Sequence, residues 1–137
     1  MGESAEHMNF VNRLYDTAKE IIPNNFHVFI YTDRPDSVEK PPRTRENFVP
    51  DLYYCHNGLL IIGEAKTAKD VDREHSISQY ESYYNEAKNF KGKAILLFAV
   101  PWFTKGTVKN IIRRLNRMNN CEIEARFITE IGEAETL

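Results

Sequence analysis

The stretch Val49–Lys66, VPDLYYCHNGLLIIGEAK, decides the fold of this 137-residue chain. Two apolar runs flank Asn57-Gly58, the dipeptide that best tolerates the two positive φ angles of a type I′ turn. The stretch is therefore predicted to form a β-hairpin. With Asn57 and Gly58 as the two loop residues, His56 faces Leu59, and this pair fixes the register of the whole hairpin.

This register brings two acids together. Counting outward along the ladder places Asp51 opposite Glu64 as a non-hydrogen-bonded pair, with Cβ atoms about 4.5–5.5 Å apart. Like charges directly opposed destabilise a sheet unless a cation or a bound proton lies between them. Because side chains alternate between faces, Lys66 shares the face of Glu64. Two carboxylates suit Mg²⁺, which keeps positions for water and phosphate, and a lysine can hold an anion. These residues predict metal-assisted phosphodiester hydrolysis.

The spacing of these residues resembles the signature of a known family. Pro50-Asp51 followed, after twelve residues, by Glu64-Ala65-Lys66 resembles the motif of the PD-(D/E)xK nuclease superfamily. The triplet also ends an apolar run that predicts a buried central strand, the setting that the family requires. The resemblance implies that Asp51, Glu64 and the backbone carbonyl of Ala65 hold Mg²⁺, for which Mn²⁺ substitutes. It also implies that Lys66 positions or activates the attacking water.

Composition and length bound the class of protein. With 42% hydrophobic and 28% charged residues, the chain is predicted to be one soluble globular domain spanning residues 1–137. Cys55 and Cys121 lack zinc-site spacing and favour reduced thiols in a cytoplasmic protein. No apolar run approaches the roughly 18 residues of a membrane span, and the N-terminus lacks a basic-then-apolar signal. A cytoplasmic protein without a membrane partner is therefore expected.

The first predicted helix offers one more acid. Apolar residues recur at helical spacing over Ser4–Ile22, and Pro23 ends the helix. Glu6 lies near the edge of the apolar sector, whereas Glu20 points further towards solvent, so Glu6 is the better candidate for an inward acid. The opening residues 2–6, GESAE, resemble archaeal Holliday-junction-resolvase-like members of the superfamily, which implies that Glu6 joins the metal site. A solvated glutamate favoured by the helix dipole is the alternative.

The remaining elements complete an αβββαβ order. The resemblance implies an α/β, restriction-endonuclease-like core, with a central mixed sheet flanked by helices, plus a C-terminal helix and an edge strand. In chain order, the further predicted elements are a strand over Phe26–Thr32, a helix over Ser76–Phe90, a strand over Ala94–Val100, a helix over Thr107–Met118 and a last edge strand over Cys121–Thr129.

The helix after the hairpin carries a second resemblance. Gln79 and Tyr83 are four residues apart and so lie on one stripe of the helix. Gln-x-x-x-Tyr at this place resembles the RecB-like branch of the superfamily, which implies that both side chains bind substrate near the metal. The alternative is structural, because Ser76-x-x-Gln79 also fits a capping box and Tyr83 could be simple packing.

Basic residues mark candidate contacts to a nucleic-acid backbone. The proline-rich loop over Asp33–Asn47 carries Arg43 and Arg45, and Lys69 follows the Glu-x-Lys triplet, although loops of this type are polar whether or not they bind a partner. The predicted C-terminal helix carries a basic stripe of Lys105, Lys109, Arg113, Arg114 and Arg117. Because the net charge is −2, attraction of DNA would come from such local patches.

The sequence as a whole predicts a Mg²⁺-dependent nuclease that acts on DNA. One alternative is a non-catalytic nucleic-acid-binding or assembly module that retains the nuclease fold, and another is a small α/β binding domain with an accidental Glu-x-Lys match. The pattern leaves open DNA against RNA, endonuclease against exonuclease, and whether the chain acts alone, as a homodimer or within a larger complex.

Overall fold

The computed structural model describes residues 4–70 and 74–137, and within them one open mixed sheet has six strands in the order β1-β2-β3-β4-β5-β6. The fold class is therefore α/β, with helices around a mixed sheet. No helix in the described part of the chain is long and apolar enough to cross a bilayer. The elements are α1 Ala5–Ile21, β1 Tyr31–Thr32, β2 Leu52–His56, β3 Leu59–Ala65, α2 Glu74–Asn89, β4 Lys93–Ala99, α3 Lys105–Asn119, β5 Glu124–Ile128 and β6 Glu135–Thr136, with short 3-10 helices at Asn24–Phe29 and Trp102–Thr104.

The three central strands run in the same direction. β3 pairs parallel with β4 and β4 pairs parallel with β5, whereas the outer neighbours β1-β2, β2-β3 and β5-β6 are antiparallel. Ala65, Ala99 and Ile128 are in register and each ends its strand. We call the end of the sheet that these three residues mark the carboxyl edge. Residues that follow the strands emerge together there, as is common for ligand sites in α/β sheets.

The hairpin has the predicted turn and the predicted register. Asn57 and Gly58 have φ angles of 53° and 76°, which a type I′ turn requires. His56 pairs with Leu59, and the ladder continues without a bulge to the pair Leu52–Gly63. Asp51 and Glu64 follow one step beyond this last pair, so the prediction of the register is confirmed.

Proline explains why the ladder stops at that point. Pro50 has no N–H and cannot donate to the residue that would face it, Ala65. The N–H of Ala65 donates instead to the side chain of Asp51, at 2.9 Å from Oδ2. The carboxylate thus replaces a strand partner, and a buried backbone donor remains satisfied.

The two faces of the sheet are covered by different helices. α1 covers one face, where Leu14 packs with Ile61 and Leu97. α2 and α3 cover the other face, where Tyr80 and other apolar side chains pack on the even-numbered residues of β3. Burial of these apolar surfaces is the main stabilising contribution to the fold. By alternation, Glu64 projects towards the face that α2 covers.

The strand predicted over Phe26–Thr32 is mostly wrong. Asn24–Phe29 forms a 3-10 helix, and only Tyr31–Thr32 pairs with β2. The aromatic residues that suggested a strand serve local packing, since the ring of Phe29 stacks on that of His56 with centroids 4.4 Å apart. The phenylalanines of the 3-10 helix pack against the hairpin and do not pair as a strand.

The prediction of a last edge strand over Cys121–Thr129 is corrected in two ways. The strand is shorter, Glu124–Ile128, and it is not at the edge, because β6 pairs with it on its outer side. With only two residues, Glu135–Thr136 is too short to produce a recognisable alternation of polar and apolar side chains.

Candidate functional site

Three residues of the predicted motif meet at the carboxyl edge. Asp51 precedes β2, Glu64 is the last residue but one of β3, and Lys66 follows that strand directly. Asp51 is 7% exposed and Glu64 is 5% exposed. Burial of two carboxylates is costly unless partners satisfy them, so their contacts decide what the site can do.

Glu64 is held through both carboxylate oxygens. The hydroxyl of Tyr83 donates to Oε1 at 2.9 Å, and Nζ of Lys66 lies 3.3 Å from Oε2. Tyr83 comes from α2 and its ring is fully buried in the core, so the hydroxyl position is fixed by packing. Burial and the charge of Glu64 both raise the pKa of Tyr83, which therefore remains a hydrogen-bond donor to the carboxylate.

Lys66 contacts a second residue of α2. Its ammonium group also donates a hydrogen bond to Oε1 of Gln79. The capping-box interpretation of Gln79 is wrong, because Ser76 lies inside α2, which already includes Glu74, and so cannot be its N-cap. Gln79 and Tyr83 thus lie on one stripe facing the motif, and each contacts one of its charged groups.

Asp51 receives its contacts on one oxygen. Oδ2 accepts the backbone N–H of Ala65 and lies 3.4 Å from Nε2 of His7 in α1. The first helix therefore approaches the acids through His7. Glu6 is exposed, so the expectation of an inward acid at that position is wrong for the described structure, and Glu20 is exposed as well.

A sequence signal for His7 existed. The buried residues Phe10, Val11 and Leu14 stand three, four and seven positions after His7, which places His7 on the inward stripe of the helix. Glu6 is one position away from that stripe, rotated by about 100°. Helical phase, and not acidic character, is the sequence signal that points to His7.

The electrostatic environment raises the pKa of Glu64 to about 8. Burial is the main cause, and the charge of Asp51 is the second. The ammonium of Lys66 and the hydrogen bond from Tyr83 act in the opposite direction without cancelling the effect. Burial and the charge of Asp51 thus favour the protonated form of the Glu64 carboxyl, whereas a nearby cation favours the charged form.

The donors of this site suit a hard divalent cation. Asp51 and Glu64 supply carboxylate oxygens, which Mg²⁺ prefers, and an acid with a raised pKa gains most from a neighbouring positive charge. Among residues 4–70 and 74–137, no group of three or more His, Cys, Asp or Glu side chains has the arrangement to hold a metal. The cation would thus complete its coordination with backbone carbonyls, water or substrate oxygens, as Mg²⁺ commonly does.

The basic residues predicted to bind substrate lie apart from the acids. Lys69 is exposed in the turn after Lys66. Arg43 is exposed and donates to the backbone carbonyl of Asn47 at 3.2 Å, and the backbone N–H of Arg45 donates to Glu86 of α2 at 2.8 Å. None of these contacts involves the acids of the motif, and the binding of substrate by the three basic residues stays a prediction.

The proline-rich loop is nevertheless fixed on the protein. The hydroxyl of Ser82 in α2 lies 2.7 Å from the hydroxyl of Thr44 and 2.6 Å from Oε1 of Glu46. Thr44 and Ser82 are both buried. The loop therefore holds Arg43 and Arg45 beside α2.

The basic stripe of α3 is partly neutralised. Glu135 of β6 forms ion pairs with Lys105, at 2.7 Å, and with Lys109. These hydrogen bonds lower the pKa of Glu135 to about 2. Arg113, Arg114 and Arg117 are exposed further along the helix.

The site thus combines two buried acids, one amine and three oriented polar side chains at one end of the sheet. Such a set can hold a cation, orient a phosphate and position a water. No protein-family model, curated protein or solved structure was found to match this chain.

Proposed function

We propose that this chain is a Mg²⁺-dependent nuclease of the PD-(D/E)xK type, with a restriction-endonuclease-like fold, that hydrolyses phosphodiester bonds in DNA. The observation that carries the proposal is the buried pair Asp51 and Glu64 beside Lys66 at the carboxyl edge. The αβββαβ order of the elements and the mixed sheet also fit this proposal.

In this proposal Asp51, Glu64 and the backbone carbonyl of Ala65 hold Mg²⁺ or Mn²⁺. A bound divalent ion supplies Lewis-acid chemistry, because it lowers the pKa of a water and neutralises charge on the phosphate. The protein supplies a buried, oxygen-rich site that becomes anionic when Glu64 loses its proton. The raised pKa of Glu64 makes ion binding dependent on pH, since the ion must displace that proton.

Lys66 is the group that meets the reacting phosphate or water. Its amine now contacts Glu64 and Gln79, and both contacts hold it on the face of the acids. A divalent ion held by Asp51 and Glu64 would neutralise Glu64 in place of Lys66, and the contact with Gln79 would then keep the amine within reach of an anion. Gln79 is thus a positioning residue for Lys66.

Two further side chains orient the acids. Tyr83 donates to Glu64 and His7 contacts Asp51, so each carboxylate has one partner that comes from a helix packed on the sheet. Groups held in place by packed helices need little rearrangement when substrate binds, which is how positioning contributes to rate. His7 replaces Glu6 in this proposal as the residue of α1 at the site.

The test is incubation of the purified chain with labelled linear, circular, branched and single-stranded DNA and with RNA, in Mg²⁺, Mn²⁺ or EDTA. We expect cleavage with either metal and none with EDTA. Glu64→Gln should remove the activity, whereas Glu122→Gln, at an exposed glutamate, should retain it. Binding without cleavage under every condition would favour a non-catalytic module instead.

A further inference from the structure

Two large aromatic side chains are exposed beside the candidate site. Trp102 is 59% exposed and Phe103 is 61% exposed, although rings of this size usually bury most of their area. They form an edge-to-face pair with ring centroids 5.8 Å apart and planes at 83°. Both belong to the short 3-10 helix between β4 and α3.

The register of the sheet places this pair at the carboxyl edge. Ala99 ends β4 and pairs with Ala65 of β3, and the backbone N–H of Lys66 donates to the carbonyl of Ala99 at 3.0 Å. Two buried residues then separate Ala99 from Trp102. The aromatic pair therefore emerges from the strand adjacent to the one that carries the Glu-x-Lys triplet.

The position of Trp102 is fixed by the neighbouring strand. Its backbone N–H donates to Oε1 of Glu130, at 2.7 Å, just beyond β5. Glu130 also lines a depression of about 480 Å³ with Glu6, Arg13 and two other residues of α1. Carboxylates repel a phosphate backbone but accept hydrogen bonds from the amino groups of bases. The depression beside Glu130 thus offers carboxylates to base amino groups and, in Arg13, a cation to a phosphate.

We propose that Trp102 and Phe103 form a stacking platform for unpaired bases, and that the substrate of the candidate site is nucleic acid with single-stranded character. This inference rests on the proposed nuclease function. In a duplex the faces of the bases are covered by their neighbours, whereas a single strand, a frayed end or a loop presents them. Stacking on aromatic side chains tolerates any sequence and increases affinity by about tenfold or more per base.

The only tryptophan of the chain makes the test direct. We would titrate wild-type protein in EDTA with a single-stranded oligothymidylate and with a hairpin duplex of the same length, following tryptophan fluorescence. Quenching and tighter binding are expected for the single strand. By fluorescence anisotropy of labelled DNA, Trp102→Ala and Phe103→Ala should each weaken binding about tenfold. Met118→Ala, which removes a 71% exposed side chain of α3, should leave it unchanged.

Two further measurements distinguish the possible failures. Phe103→Leu keeps apolar bulk but not the aromatic face, so binding as tight as wild type in this variant overturns the platform. Equal affinity for the strand and the duplex also overturns it. If sedimentation shows a dimer that Phe103→Ala dissociates while DNA binding is unchanged, the rings serve self-association and the proposal is wrong.

Cleavage assays separate this inference from the function on which it rests. Suppose that wild type cleaves DNA with Mg²⁺ and that Trp102→Ala and Phe103→Ala cleave single strands equally well. The stacking platform is then wrong, and the nuclease function is supported. If no metal supports cleavage while the fluorescence and affinity changes occur as expected, the nuclease fails and the platform stands as a binding surface.

Discussion

In two clusters of this molecule a glutamate lies beside lysine, but the pKa of the glutamate is shifted in opposite directions. At the carboxyl edge, Glu64 lies beside Lys66 and its pKa is raised to about 8. At the other cluster, Glu135 of β6 contacts Lys105 and Lys109, and its pKa is lowered to about 2. A neighbouring lysine is common to both clusters, so its presence cannot explain the difference in pKa.

Burial and a second acid explain why the pKa of Glu64 is raised while that of Glu135 is lowered. Glu64 is 5% exposed and shares its surroundings with Asp51, so desolvation and like charge both oppose ionisation. Glu135 is solvated, and its two lysines favour the charged form. The comparison shows how one residue type is held in its charged form by an ion pair on the surface and has its protonated form favoured in the interior.

The largest expected difference between the clusters is in catalysis. Glu64→Gln and Asp51→Asn should each reduce the cleavage rate by about a thousandfold, the order of effect seen when a group that stabilises charge in a transition state is removed. Glu135→Gln should leave the rate within about twofold, because it lies outside the site. Single-turnover cleavage with Mg²⁺ measures both effects. A fast Glu64→Gln enzyme would show that the acid is not a ligand.

The pH dependence of stability should also differ in sign between the clusters. The folded pKa of Glu64 is above its unfolded value, so its contribution is complete below about pH 4.5 and is lost as the pH rises towards 8. We expect the free energy of unfolding without metal to fall by about 2–5 kcal/mol over this range, since one pKa unit corresponds to about 1.4 kcal/mol.

Denaturant unfolding between pH 5 and pH 8 measures this fall in the free energy of unfolding. Glu64→Gln is the matched control, and most of the fall should be absent in that variant. The pKa of Glu135 is below its unfolded value, so its contribution is present above about pH 4.5 and is lost as the pH falls towards 2. A wild-type protein equally stable at pH 5 and pH 8 would contradict the raised pKa of Glu64.

Removal of the Gln79 amide, which accepts a hydrogen bond from Lys66, should have an intermediate effect on the cleavage rate. Gln79→Ala should reduce the cleavage rate about tenfold with little change in the melting temperature, because the buried helix remains and only the position of the amine is lost. Its pH–rate profile should shift as well, since Lys66 lies 3.3 Å from Glu64. Asn119→Ala, which removes a side-chain acceptor for Lys88 at the end of α2, is the matched control and should cleave normally.

The smallest expected effect is stabilisation by metal. A ligand that binds only the folded state adds RT ln(1 + [L]/Kd), so Mg²⁺ at its own Kd adds about 0.4 kcal/mol. Calorimetric melting with increasing Mg²⁺ should therefore show a small, saturable rise for wild type and Glu135→Gln but none for Glu64→Gln. Equal rises in all three proteins would place metal binding elsewhere.

Features that depend on short stretches of sequence, such as the turn and the hairpin register, were predicted correctly. Asn57-Gly58 allowed a two-residue turn, and the turn fixed the register that carries Asp51 and Glu64 to the same end of the hairpin. Gln79 and Tyr83 were placed on one stripe for the same reason, since helical spacing is local. The α/β fold followed from the order and type of the longer elements.

Contacts between residues far apart in the sequence could not be predicted from local patterns. Nothing near Lys105 or Lys109 in the sequence indicates that Glu135 neutralises them, because the pairing depends on a two-residue strand at the edge of the sheet. The aromatic and β-branched residues of Phe26–Thr32 favour a strand, but Phe26 and Phe29 lie in a 3-10 helix and pack on His56 of the hairpin. In this segment tertiary packing overrode local preference.

The hydrogen bond from the Ala65 amide to Asp51 makes this site visible to nuclear magnetic resonance. The amide proton points at a carboxylate oxygen, at an N–O distance of 2.9 Å, and its resonance therefore shifts with whatever that carboxylate binds. Because the bond is buried, the same proton should exchange slowly with solvent. Ala65 is thus a built-in spectroscopic reporter of the candidate site, and in ¹⁵N-labelled protein its amide peak would register ion binding without substrates or mutations.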